Sequence, residues 1–114
     1  MSDCLFCAIA AGDIPADVVD ESTHCLAFRD ISPQAPTHVL VIPRQHFSDV
    51  AELVGADPGL AATLLADATR IAADLGLAAG GYRIVLNTGA DGGQTVGHVH
   101  AHILGGRPMG WPPG

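Results

Sequence analysis

Apolar residues along this 114-residue chain fall into short clusters whose spacing changes from one stretch to the next. Alternating or continuous β-branched runs mark extended segments, and apolar residues three and four apart mark helices. "DVVDES" (17–22) and "HCLAFRD" (24–30) predict two short strands, with Glu21, Ser22 and Thr23 at the turn between them. "THVLVIP" (37–43), apolar and stopped by Pro43, predicts a buried third strand. Leu60, Leu64, Ile71 and Leu75 lie at helical spacing; Asp57 and Pro58 open that helix as N-cap and first residue, and Gly76 ends it. "YRIVLN" (82–87) and "HVHAHIL" (98–104) predict the last two strands, with the glycine-rich "ADGGQTVG" (90–97) between them. A short helix over 3–11 comes first, ended by Gly12 and Pro15; "ISPQAPT" (31–37) is a loop and "GGRPMGWPPG" (105–114) an irregular tail. About five strands, one long helix and one short one predict an α+β fold around a mainly antiparallel sheet, with residues 1–114 as a single domain.

Composition narrows the partners. The chain is 48% hydrophobic and only 15% charged, which excludes a disordered chain and predicts a greasy face used for self-association. Net charge is −7, with five basic residues and no basic run, so capture of a long nucleic-acid backbone is not expected. A small anion is still compatible, because backbone N–H groups and imidazoles hold one phosphate without net positive charge. No apolar stretch approaches the roughly 18 residues of a membrane span. The start "MSDCLFCAIAAGDIPAD" lacks a basic n-region and a long apolar segment, so the expected location is the cytoplasm. Three cysteines, an odd number, do not read as a disulfide framework.

Three of the six histidines stand at alternate positions in "GHVHAHILGG" (97–106). On a strand His98, His100 and His102 would share one face, while Val99, Ala101 and Ile103 fill the other. The outer two would then be roughly 13 Å apart, four times the strand rise and too far to converge on one ion. A row of imidazoles with separate tasks fits better, and Gly92 and Gly93 just before it suit a phosphate-binding loop. The plainer alternative is a half-exposed strand with polar histidines behind a hairpin connection. Imidazole is a nucleophile when neutral and an acid when protonated, both near neutral pH, so the combination points to phosphoryl or nucleotidyl transfer.

The run H-V-H-A-H-I is similar to the H-φ-H-φ-H-φ motif of the histidine triad (HIT) family. "IPAD" (14–17), "FRDISPQAPTHVLVIPRQH" (28–46), "AADLGL" (72–77) and residues 81–114 resemble its HINT-like branch in the right order. That resemblance implies a homodimer with sheets joined across the interface, and hydrolysis of the P–N bond of purine nucleoside 5'-phosphoramidates through a covalent nucleotidyl-histidine. It implies His100 as nucleophile, His38 as its supporting histidine and His102 as the phosphate contact that assists the leaving group. Thr95 takes the hydroxyl position that helps protonate the departing amine, where serine is usual. Asn87, Gly93 and Gln94 match phosphate and leaving-group contacts, Asp30 the ribose contact, and Phe28 and Ile31 the base pocket. Trp111 would reach the partner subunit's site, and Gly97 stands where a bulky residue is frequent, widening the pocket. No catalytic cofactor is implied. A dinucleoside polyphosphate hydrolase of the same family, or a nucleotide-binding or partner module with weak catalysis, are the rivals.

Cys4 and Cys7 form C-x-x-C, half of a zinc site that needs two more ligands. Some HIT relatives resemble this chain in pairing two such cysteines with two histidines around a structural zinc, here His46 and His98. The alternatives are two cysteines on an apolar helix face without metal, or a redox pair, which lacks a preceding thioredoxin-like strand. Cys25 is expected in the core, and His24 exposed at a turn.

Overall fold

The computed structural model describes residues 4–114. Its elements are α1 (Leu5–Ala10), β1 (Val18–Glu21), β2 (Cys25–Arg29), β3 (Thr37–Pro43), α2 (Val50–Ala56), α3 (Pro58–Asp74), β4 (Tyr82–Val85) and β5 (Ala101–Gly105). Asp3, the expected start of the first helix, lies outside the described residues. The five strands form one sheet in the order β1-β2-β3-β5-β4, and every neighbouring pair is antiparallel. Among the described residues no helix is long and apolar enough to cross a membrane.

Strand alternation sorts the side chains into two clusters. Cys25 and Ala27 of β2, Val39 and Val41 of β3, and Ala101 and Ile103 of β5 face the helices, against Leu53 of α2 and Leu60, Leu64, Ala68, Ile71 and Ala72 of α3. The buried α3 residues recur at the helical spacing expected from the sequence. Burial of each of the larger ones contributes roughly 1.5–3 kcal/mol. The opposite face carries Leu26, Phe28, Leu40 and Ile42, packed on Phe6 of α1. His38 and His102 alternate onto this second face, so α1 and the histidines share it.

The long helix begins as its sequence predicts: Asp57 accepts from Leu60 N–H at 3.0 Å, and Pro58 takes the first position. Two expectations are corrected. A third helix, α2, lies between β3 and α3, where the sequence pattern predicts only one long and one short helix in the whole chain. Its single buried residue, Leu53, leaves no apolar stripe to detect, although Asp49 caps it by accepting from Glu52 N–H at 2.9 Å. The last strand begins at Ala101 rather than His98. Its ladder to β3 ends at the Val41–Ala101 pair, and Val99 N–H turns away to the Phe47 carbonyl at 2.8 Å. His98 and His100 therefore precede the strand. β4 likewise ends at Val85, short of Asn87, which bonds the Gly92 carbonyl of the following loop.

Candidate functional site

The histidines are set apart by what their second ring nitrogen touches. Nδ1 of His100 lies 2.7 Å from the His98 carbonyl, which can only accept, so Nδ1 carries the proton and Nε2 of the neutral ring is a bare lone pair. Gln34 N–H donates to His38 Nδ1 at 3.1 Å, so neutral His38 keeps its proton on Nε2. That nitrogen is 2.9 Å from His102 Nδ1, to which it donates, which leaves the His102 proton on Nε2. One neighbour thus offers a lone pair and the other an N–H. The two rings stand 4.9 Å apart. His100 is buried to 6% exposure, edge-on to Phe6 with centroids 5.1 Å apart. Among the described residues no buried side-chain nitrogen lacks a hydrogen-bond partner, and neither Nε2 has one, so both reach solvent.

A cleft of about 430 Å³ is lined by Phe6, Phe28, Asp30, Ile31, Leu40 and Thr95 among others. The three rings are not in its lining, but Phe6 packs on His100 and Asp30 approaches His38. Phe28 is buried in its floor, whereas Ile31 is 99% exposed at the rim. Asp30 holds Ser32 N–H with one oxygen at 2.8 Å and brings the other to 3.6 Å from His38 Nε2. Thr95 is exposed on the cleft side of the glycine-rich loop. The loop is tied internally. Gly93 and Gln94 N–H close onto the Ala90 and Gly89 carbonyls, both at 3.0 Å. The Gln94 amide accepts from Gly89 N–H and donates to the Ser48 and Val96 carbonyls at 2.6 and 3.0 Å. Its side chain braces the loop against the segment after β3. A Cβ at Gly92 would meet the Thr88 carbonyl oxygen at 2.3 Å, so glycine is required for that close turn. Trp111, in the tail, is 84% exposed.

Cys4, Cys7, His46 and His98 converge at the end of α1, their donor atoms within 4.8 Å of one another. His98 Nδ1 lies 3.3 Å from Cys4 Sγ, 3.5 Å from Cys7 Sγ and 3.2 Å from His46 Nδ1. Those separations match the edges of a tetrahedron with metal bonds of about 2.0 Å to nitrogen and about 2.3 Å to sulfur. The tautomer fits as well: His98 Nε2–H donates to the Pro43 carbonyl at 2.9 Å, which turns a bare Nδ1 toward the cysteines. Asp30, His38 and His102 also cluster. There the chemistry is wrong for a cation, because metal on His38 Nε2 would leave a ring with no proton on either nitrogen. Of the two groups, the first suits a metal. Outside both, His24 is exposed and Cys25 buried, and desolvation pushes the Cys25 thiol up to about 12.

Burial, and then the neighbouring His100 and His38, hold His102 down to about 4; burial lowers His38 as well. An imidazole whose native value lies below its unfolded 6.5 binds fewer protons folded than unfolded, so its contribution is full above that value and lost as pH falls toward 4. Lowering pH from about 7.5 to about 5 should therefore cost about 2 kcal/mol through His102. Urea unfolding midpoints across that range measure it, and His102→Asn should flatten the slope. An unchanged slope in the variant would assign the loss elsewhere.

A HIT domain model matches residues 11–109. An uncharacterized HIT-like protein of Synechococcus elongatus is 51% identical over 112 residues, 98% of this chain and 97% of its own length. The crystal structure of a HIT family hydrolase from Legionella pneumophila superposes with a TM-score of 0.94 at 52% identity, covering 98% of this chain and all of the other. A histidine triad protein from Clostridium difficile, solved at 0.95 Å, follows at 0.92 and 37% identity, covering 96% of each chain. With an intact H-V-H-A-H-I run and this fold around it, the chain belongs to the HIT domain family.

Proposed function

We propose that this protein hydrolyses the P–N bond of purine nucleoside 5'-phosphoramidates. The observation that carries the reading is the opposed protonation of two adjacent rings, a bare Nε2 on His100 and an N–H on His102, both open to solvent beside an apolar cleft. The His100 lone pair attacks phosphorus, the P–N bond breaks, and the amine departs with a proton that solvent supplies through the Thr95 hydroxyl. That proton is returned to solvent when water hydrolyses the intermediate. The imidazolium of the resulting nucleotidyl-His100 is stabilised by its Nδ1–H on the His98 carbonyl. Water then displaces His100, releasing the nucleoside monophosphate. His102 Nε2–H stabilises charge on the phosphate oxygens. Phe28 and Ile31 sandwich the base and Asp30 accepts from the ribose hydroxyls. The likeness to the Legionella pneumophila HIT family hydrolase supports hydrolase chemistry.

The same reading makes the enzyme a dimer, with sheets joined edge to edge and Trp111 inserted at the partner's leaving-group side; the extreme exposure of Trp111 in one chain supports it. It also places a structural zinc on Cys4, Cys7, His46 and His98, supported by the His98 tautomer. Turnover of an adenosine phosphoramidate compared with diadenosine polyphosphate tests the substrate class, and clear preference for the anhydride would overturn it. Thr95→Ser should speed release of poorly leaving amines a few-fold, since threonine is stiffer at χ1. A variant no faster than the parent would remove Thr95 from proton delivery.

A further inference from the structure

We infer that Arg107 is a positioning residue that sets which nitrogen of His102 carries the proton. Resting on the hydrolase reading above, it assigns a task to the tail that follows β5. Three of the five arginines, Arg29, Arg44 and Arg70, lie against carboxylates. Arg107 instead points two N–H groups, Nε at 3.3 Å and Nη2 at 2.8 Å, at the Gln34 carbonyl, while Nη1 donates to Pro108 O at 3.0 Å. Gln34 is the residue whose N–H donates to His38 Nδ1. From there the chain of bonds runs through His38 Nε2–H to His102 Nδ1 and ends on the His102 Nε2–H that opens to solvent.

Each link is directional. A guanidinium and a backbone N–H only donate, so once Gln34 is held, His38 has a single neutral tautomer that satisfies its neighbours, and so has His102. The tail is built for this approach. Gly106 adopts φ +91°, and a Cβ there would sit 2.9 Å from Pro36 Cβ, so the chain lies directly on the 34–36 loop. Gln34 also turns its side chain back, donating to the Ser32 carbonyl at 2.9 Å. With Arg107 exposed, its clamp contributes little to the core. Its effect falls on geometry: without it Gln34 keeps only its bonds to His38 and Ser32, and His38 gains access to the tautomer that would turn the His102 proton inward.

Arg107→Ala tests this. Long-range imidazole 15N spectra at neutral pH should show His38 and His102 leaving their Nε2–H pattern, while His100 keeps its Nδ1–H. With a phosphoramidate substrate kcat should fall about tenfold and KM little, the size expected when a charge-assisted bond behind an acting group is lost. Arg107→Lys, which keeps the charge without the fork, should show the same change in smaller measure, and it decides the matter if the alanine variant does not fold. Tautomers unchanged in the folded variant would overturn the inference, whatever the activity. Altered tautomers in a protein that hydrolyses no phosphoramidate would uphold it and sink the substrate reading instead.

Discussion

His100→Ala should leave a folded protein that has lost nucleotidyl transfer. Of the three rings His38, His100 and His102, the substitution removes the one whose bare nitrogen reaches solvent, and neither neighbour can replace it. His102 presents a proton on the corresponding atom, and His38 uses both nitrogens inside the protein. Loss of a nucleophile in covalent catalysis lowers turnover by about a thousandfold or more. Nucleotide affinity should change far less, because Phe28, Asp30 and Ile31 line the cleft independently of His100. Quenched wild-type reactions analysed by mass spectrometry should carry a nucleoside monophosphate on His100, and the variant none. Retention of more than a tenth of the turnover, or an adduct on another residue, would reject the mechanism.

Stripping the Cys4, Cys7, His46 and His98 cluster should have the largest effect on stability. One zinc per chain is expected after purification without chelator. A metal held at a thousandfold excess over its dissociation constant stabilises the folded state by about 4 kcal/mol. Each kcal/mol shifts the melting temperature of a chain this size by about 4 °C or more, so chelation should lower it by about 15 °C. Cys7→Ser should do the same without chelator. The cluster joins α1 to the end of β3 and to the segment before β5, which ties its loss to the active site. The His98 backbone carbonyl holds the His100 proton while the His98 ring faces the cysteines. Substoichiometric zinc, freely titratable thiols and an unchanged melting temperature would show the cluster to be metal-free.

Much of the architecture is legible because local chemistry and tertiary packing agree. Asp57, Pro58 and the apolar spacing from Leu60 to Ile71 specify α3, and the β-branched run from Thr37 to Pro43 specifies β3, before any contact is considered. Legibility ends where one contact decides. α2 buries only Leu53 and so has no periodic signature. The histidine run reads as strand throughout, yet its first three residues leave the sheet because Val99 N–H bonds Phe47. Phe6, which meets both His98 and His100, stands between two cysteines that draw attention first, and nothing near Arg107 in sequence hints at Gln34.

By itself the sequence determined the chemical repertoire: three alternating imidazoles, a glycine-rich turn before them, two thiols at metal spacing and an acidic chain without a basic track. Those are properties of residue type and spacing, which folding does not alter. Only the tertiary structure decided which nitrogen of each ring carries a proton. Imidazole is symmetric enough that its tautomer follows from the partner on the far side. Those partners are backbone groups of His98, Gln34 and Pro43, brought up by folding and invisible in side-chain identity.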